Sequence, residues 1–444
     1  MLTTPEKIRT LQRKLYAKAK QEPAYRFYAL YDKISREDIL GHAWRLVRSN
    51  GGSPGVDGIS FEAIESAEGV ESYLRDLARD LKEKTYRAQP VRRVMIPKGD
   101  GNLRPLGIPT IRDRVAQMAM KLVIEPIFEA DFCEHSYGFR PKRSAHDAID
   151  DIANTLWAGY TQVIDADLSK YFDSIPHAKL LAVVAERIVD GGILALIKQW
   201  LKAPVIGEDE NGTRRTVGGG KGNRKGTPQG GVVSPLLANA YLHILDRIWQ
   251  RHHLKEQLGA QIVRYADDFV VLCRAGVEKP LELVRHVLGR LELTLNETKT
   301  QIVDANQESF NFLGFTLQMS RGANSSKPYP NVRPSDKALT KIKARLTEQT
   351  KRELTVIPLE DVVGNVNRSL RGWVNYFHYR NSSHLMSKVR HHAESRLRNH
   401  LMKRHKVRNR RAALCRFPRN DLYGRYGLYQ PPRKAGWQTA HALA

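Results

Sequence analysis

The chain has 444 residues, 41% of them hydrophobic, with 72 Lys and Arg against 47 Asp and Glu and a net charge of +25. The length suits two or three domains with a proper core, and the excess of cations excludes an acidic or charge-neutral surface and points to a polyanionic partner, above all nucleic acid. Cys133, Cys273 and Cys415 are isolated and form no C-x-x-C, which excludes a disulfide framework and a cysteine zinc site; with no membrane-length apolar run and no signal peptide, the expectation is a cytoplasmic protein without a membrane partner.

Residues 1–49 read as basic helices, with Leu11, Leu15 and Tyr16, then Leu40, Trp44 and Val47, spaced for one face. Asn50–Gly58 is a glycine-rich loop, either a plain connector or a site of close backbone approach. A helix follows over Val70–Lys84. Val91–Lys98 alternates as a strand ending at Pro97, Gly99-Asp100-Gly101 makes a hairpin turn, and Leu103–Pro109 returns. Lys98 and Arg104 stand near the ends of this hairpin, as ordinary surface cations or as a grip on phosphates. Ile111–Phe128 is a helix, and Ser136–Pro141 is a loop that offers Arg140, with Arg143 beyond it, to phosphates.

Thr161–Leu168 alternates as a strand. Val163, Asp165 and Asp167 share one face and Gln162, Ile164, Ala166 and Leu168 the other, so two carboxylates project together and periodicity does not choose between them. Tyr171-Phe172-Asp173 follows at once. Residues 177–203 read as two helices and Gly218–Gly226 as a flexible basic hairpin tip. Gly226–Gly231 opens a helix to about His253, and Gln229 at that glycine-rich turn is either a buried cap or a contact for a nucleotide.

The densest signal is Tyr265-Ala266-Asp267-Asp268. Ile262-Val263-Arg264 leads in and Phe269–Cys273 leads out, the pattern of strand, tight turn and strand. Adjacent acids repel unless a cation neutralises them, so two Asp on a hairpin tip suit Mg²⁺. Lys279–Leu293 reads as a helix, Leu295–Lys299 as a turn carrying a cation, and Phe310–Phe315 as an apolar strand. The Ser/Gly/Pro-rich stretch Arg321–Pro334 marks a boundary. Three amphipathic helices follow, marked by Leu339, Ile342 and Leu346; by Val362, Val366, Leu370, Trp373 and Phe377; and by Met386, Val389, Ala393, Leu397 and Leu401. From Lys388 to Arg411 there are ten Lys or Arg and one acid, Glu394, which points to nucleic-acid phosphates rather than a solvated face. The tail from Leu414 reads as irregular.

In this order the motifs resemble the reverse transcriptase/maturase encoded by bacterial group II introns, over nearly the whole chain. Asn50–Gly58 resembles the family's extra N-terminal block. Ile96-Pro97-Lys98 with Leu103–Pro109 resembles the first fingers block, and Tyr137–Pro141 the second. Asp165–Asp173 resembles the first palm block, Gly226–Gly231 with Ser234-Pro235 the template-and-nucleotide block, and Tyr265–Asp268 the catalytic box. Phe312–Phe315 resembles the block closing the polymerase part, and Gly372–Phe377 the thumb signature.

The resemblance implies an α+β right hand, with fingers, an antiparallel palm sheet and an α-helical thumb or maturase domain. The implied division is an N-terminal extension over 1–75, fingers and palm over 76–320, thumb over 321–411 and a basic tail over 412–444 without a nuclease module. It implies RNA-directed DNA synthesis with two Mg²⁺ ions, Mn²⁺ being a substitute, held by Asp167, Asp267 and Asp268, with Asp165 as the alternative. Lys98, Arg104, Ala166, Phe172 and Gln229 would line the dNTP site, Phe172 as a steric gate against the ribose 2′-hydroxyl. Arg140, Lys299, Arg396, Arg398, Lys403 and Arg404 would contact nucleic acid. The implied partners are intron RNA, an RNA template with a DNA primer, target DNA and dNTPs, in splicing and retromobility. Two other readings stay open: a free-standing reverse transcriptase in repair or defence, and a splicing cofactor that binds RNA without catalysis.

Overall fold

The fold is that of a computed structural model, which describes residues 2–67, 69–97, 103–208, 213–322 and 325–434. Lys98 and the expected turn Gly99-Asp100-Gly101 lie outside the described residues. The strands are β1 (Val91–Pro97), β2 (Leu103–Ile108), β3 (Gln162–Ala166), β4 (Val205–Glu208), β5 (Arg214–Gly218), β6 (Ala260–Tyr265), β7 (Asp268–Cys273), β8 (Gln301–Asp304), β9 (Phe310–Phe312), β10 (Phe315–Gly322) and β11 (Ser325–Pro334). They form sheets of order β2-β1-β4-β5, β6-β7-β3-β8 and β11-β10-β9. Among the described residues no helix is long and apolar enough to cross a membrane.

The chain divides into two compact units, one of residues 1–148, 166–271 and 276–301 and the other of 149–165, 272–275 and 302–444. The dividing line runs along the chain through β3, β7 and β8.

The first unit is built on the helix Ile111–Asp131, which is buried on most sides because its sequence is apolar nearly all round. Thr110 caps it, its hydroxyl accepting from the Asp113 N–H at 3.2 Å. The basic helix Glu6–Gln21 lies along it, with Gln12 donating to the Leu122 carbonyl and Lys20 to the Ala130 carbonyl, each at 3.0 Å. The glycine-rich loop 50–58 is tied down by Arg114, whose guanidinium donates to the carbonyls of Gly51, Ser53 and Pro109. In the fingers sheet β1 runs antiparallel to β2, with Ile96 opposite Arg104. It also runs parallel to β4, with Val91 opposite Val205. The strands β4 and β5, pairing antiparallel, lie where the sequence reading assigned no element; the basic tip read over Gly218–Gly226 follows them. The helix expected to open at the glycine turn starts later, at Ser234, and runs to Arg251. Gly226–Val233 stays non-helical because Gly226 and Gly230 have positive φ.

The second unit ends in a helical bundle of Asp336–Glu348, Leu359–Phe377 and Ser383–Arg404. Leu339, Ile342, Leu346, Val366, Leu370, Met386, Val389, Leu397 and Leu401 are buried together, which matches the three stripes read from the sequence. The described part of the tail is only partly irregular: Arg410–Arg416 and Arg419–Tyr423 are short helices, residues 424–434 have no helix or strand, and Phe417, Leu422 and Leu428 complete the same core. The stretch Arg321–Pro334, read as a boundary, is mostly β11, paired with β10 over Phe315–Arg321. Arg380 Nε donates to Asp150 at 2.7 Å, and the Tyr379 hydroxyl donates to the same carboxylate, tying the bundle to the helix Ala145–Trp157.

Candidate active site

The acidic tip follows from the sequence around it. β6 and β7 are buried almost throughout, so their apolar runs fix the strands and leave the polar step at the turn. Ala266, between them, has φ 58°, a left-handed conformation that costs a non-glycine residue about 1–3 kcal/mol. Arg264 is completely buried, and its Nη1 donates to the Ala266 carbonyl at 2.9 Å. The same guanidinium is held by Asp246, through Nε at 2.9 and 3.0 Å, and by Asn239 Oδ1 at 3.0 Å. Burial alone would raise the Asp246 carboxyl, but the charge of Arg264 overrides it and brings Asp246 down to about 2.

At the tip, burial raises the Asp267 carboxyl above its usual range; Arg104 opposes the rise and Asp167 adds to it. Asp268 keeps an exposed side chain, yet partial burial and then the charges of Asp267 and Asp167 push it up to about 6, against Lys299 and Arg104. Asp167 therefore acts electrostatically on both hairpin acids. It lies just past the end of β3, half-buried, and its Oδ2 accepts from Asn296 Nδ2 at 3.1 Å and faces Lys299 Nζ at 3.3 Å. Asp165 lies within β3 and is also half-buried. Among the described residues no three His, Cys, Asp or Glu side chains close into a preformed metal cluster. The donor set nonetheless fits a divalent cation, because hard carboxylates that raise one another's proton affinity are the ligands a Mg²⁺ ion takes.

Around this tip the expected nucleotide residues come from several elements. Arg104 on β2 donates to Gln229 Oε1 at 2.9 Å, and its charge acts on both hairpin acids. The Gln229 carbonyl accepts from the Gly107 N–H at 2.6 Å, strapping the glycine turn to β2. A Cβ on Gly230 would lie 2.2 Å from the Gly107 carbonyl oxygen, so only glycine allows that approach. Ala166 is buried at the end of β3. Phe172 is buried in the short helix Tyr171–Ser174, and its carbonyl accepts from the Thr227 N–H at 2.7 Å.

The expected nucleic-acid contacts divide. Lys299 and Lys403 are exposed. Arg140 is turned inward instead: its Nε lies 3.1 Å from each Glu129 oxygen, and its Nη1 donates to the Cys133 and Ser136 carbonyls at 2.6 Å. It holds the loop together rather than facing phosphates, because a buried guanidinium must satisfy its donors within the protein. Arg396 donates to Thr350 Oγ1 at 3.1 Å and the Thr347 carbonyl at 3.3 Å, Arg398 to the Phe417 carbonyl at 3.0 Å, and Arg404 to the Thr355 and Ile357 carbonyls at 2.8 and 2.6 Å. Each of these arginines covers the C-terminal end of a neighbouring helix, where carbonyls lack intrahelical partners.

Sequence reasoning missed Arg264, Asp246 and Asn239. The signal was present, since an arginine inside an apolar strand needs a buried partner.

A carboxylate hairpin acted on by Arg104, which is itself bonded to Gln229 of the glycine turn, and a basic helical bundle following in the chain are features of a nucleic-acid polymerase of the right-hand type. The model of the family described as "Reverse transcriptase (RNA-dependent DNA polymerase)" matches residues 96–317, and that of the "Group II intron, maturase-specific domain" matches residues 339–417. Protein YkfC of Escherichia coli (strain K12) is 36% identical, over 74% of this chain and 93% of its own length. The group II intron-encoded protein LtrA of Lactococcus lactis subsp. cremoris is 30% identical, over 66% of this chain and 57% of its own length. A protein described as an uncharacterized 91 kDa protein in the cob intron of Schizosaccharomyces pombe is 27% identical, over 78% of this chain and 50% of its own length. The chain thus spans most of the first relative and about half of the other two. The chain belongs to the group II intron reverse transcriptase/maturase family, and it is an RNA-directed DNA polymerase with a maturase domain.

Proposed function

We propose that Asp167, Asp267 and Asp268 hold two Mg²⁺ ions and that the site extends a DNA primer on an RNA template with dNTPs. What supports this is the convergence of the three acids at the tip: burial raises the Asp268 carboxyl, and the charges of Asp267 and then Asp167 carry it further, to about 6. Bound there, the metal pair would lower the pKa of the primer 3′-hydroxyl and stabilise the leaving pyrophosphate. Arg104 steadies the triphosphate, with Lys98 assigned to the same task from the sequence resemblance. Gln229 and Ala166 line the nucleotide pocket, and Phe172 closes it against a 2′-hydroxyl. Lys299, now facing Asp167, exchanges that contact for the primer backbone when nucleic acid enters. The exposed cations near the end of the bundle, Lys403 among them, bind the phosphates of intron RNA, supporting splicing, and target DNA is engaged in retromobility.

The test is one preparation of the Asp267→Ala, Asp268→Ala variant assayed for primer extension, RNA binding and splicing of a candidate intron at low Mg²⁺. Losing metal-ligand carboxylates forfeits several kcal/mol at the transition state, so extension falls by about a thousandfold or more. RNA affinity and splicing persist, because removing acids from a basic protein only relieves repulsion with phosphate. Retained extension would overturn the metal assignment.

A further inference from the structure

We propose that Gly138, Asn239 and Arg264 form a positioning brace that fixes the catalytic turn from behind, so that the placement of Asp267 depends on the loop 135–138 and on the helix Ser234–Arg251. The inference rests on the assignment of Asp267 and Asp268 to catalysis.

The brace is visible as a closed chain of contacts within the first unit. Arg264 Nη1 touches both ends of it, donating to the Ala266 carbonyl at 2.9 Å and to Asn239 Oδ1 at 3.0 Å. Asn239 Nδ2 donates in turn to the Gly138 carbonyl at 2.6 Å. Gly138 closes the loop sterically, since a Cβ placed on it would lie 2.3 Å from the Ala266 nitrogen and 2.8 Å from the Tyr265 carbonyl carbon. Gly138 has no positive φ, so close approach rather than backbone conformation is what requires glycine. The loop is also zipped to β6: Tyr137 N–H donates to the Arg264 carbonyl at 2.9 Å and Arg264 N–H to the His135 carbonyl at 2.8 Å. Asp246, on the same helix as Asn239, orients the guanidinium by two Nε contacts.

The left-handed Ala266 is therefore held at its carbonyl by Arg264 and packed closely at its nitrogen by Gly138, groups that are themselves fixed. A strained turn persists only when its surroundings over-determine it. Because Ala266 directly precedes Asp267, a shift of the turn moves the carboxylate. A misplacement of about 1 Å in a catalytic group costs on the order of a hundredfold in rate. None of the brace residues reaches the reacting atoms, so they position and do not catalyse.

The experiment compares Gly138→Ala, Asn239→Ala and Arg264→Lys with the parent chain and with Asp267→Asn. Steady-state extension of a DNA primer on an RNA template is followed alongside thermal melting and binding of the primer–template duplex. Gly138→Ala should lower kcat by roughly a hundredfold, while the KM for dNTP and duplex affinity stay within about twofold. Asn239→Ala should show the same split at about tenfold. Arg264→Lys keeps a charge beside Asp246 but cannot serve Asp246, Asn239 and Ala266 together, so it should also lose kcat. A purely structural role would depress melting and soluble yield without separating kcat from KM. A folded Gly138→Ala with parental kcat overturns the brace; if that variant does not fold, parental kcat in Arg264→Lys overturns it. Should Asp267→Asn retain activity, the catalytic assignment fails instead, and the two failures are told apart.

Discussion

The hairpin tip and the basic helix Ser383–Arg404 each gather charge of one sign, yet the protein treats the two differently. At the tip, Asp267 and Asp268 push against each other and against Asp167, with Arg104 and Lys299 as the opposing charges. On the helix, Arg396, Arg398 and Arg404 are drawn onto carbonyls at the C-terminal ends of three other helices. The favourable sign is the same one that places cations at the negative end of a helix dipole. Charge counted along a sequence is thus not charge offered to a ligand. A cation near orphaned carbonyls is consumed by them, whereas an acid on a turn has only its neighbours.

This contrast can be broken most forcefully at Arg140, the most deeply buried of the cations expected to contact nucleic acid. Arg140→Met leaves Glu129 half-buried without its partner, and breaking such a pair costs about 3–5 kcal/mol. Thermal or denaturant unfolding should show that loss, while RNA affinity measured on the folded fraction stays level. A drop in affinity with unchanged stability would return Arg140 to the phosphate-binding set.

Phe172→Ala sharpens the catalytic side. If the ring is the gate, ribonucleotide use should rise relative to dNTP use by about 10–200-fold, the range that removing one steric element from a pocket provides. Competition between the two sugars measures it, and unchanged discrimination would remove Phe172 from that role.

The smallest effects separate the two kinds of cation on the basic bundle. Replacing Arg396, Arg398 or Arg404 by Gln should each lower stability by about 1 kcal/mol, the usual value of a hydrogen bond, and leave the salt dependence of RNA binding alone. Replacing the exposed Lys403, Lys406, Arg408 and Arg410 by Gln should flatten the slope of log affinity against log salt by roughly 0.7 for each RNA phosphate that is no longer neutralised. The reverse pattern would mean that the helix-capping arginines leave their carbonyls when RNA arrives.

The acidic hairpin was legible because two apolar runs can only flank a turn, and the turn held two acids. The three bundle helices were legible from their stripes. The brace was not, because Arg264 and Asn239 meet Gly138 only after folding has brought distant segments together. β11 was hidden by its prolines Pro328, Pro330 and Pro334, which read as a domain boundary; the strand accommodates them because it is the edge of its sheet. The helices Arg410–Arg416 and Arg419–Tyr423 are too short to show a period; they and the residues just beyond them deliver Ala413, Phe417, Leu422 and Leu428 to a core begun elsewhere.

The parallel register of β1 and β4 has a consequence for the order in which the chain acquires structure. Val91 and Arg92 find Val205 and Ile206 only across the whole intervening stretch of polypeptide. No local turn can nucleate that pairing, and non-local pairs are reached late because loop closure must precede them. During synthesis β1 and β2 can pair with each other as soon as they emerge, but a two-stranded hairpin is marginal by itself. The fingers sheet therefore waits on the ribosome for β4. When β4 arrives, much of the helical scaffold around Ile111–Asp131 has already been made, and the sheet closes onto a surface that is in place before it.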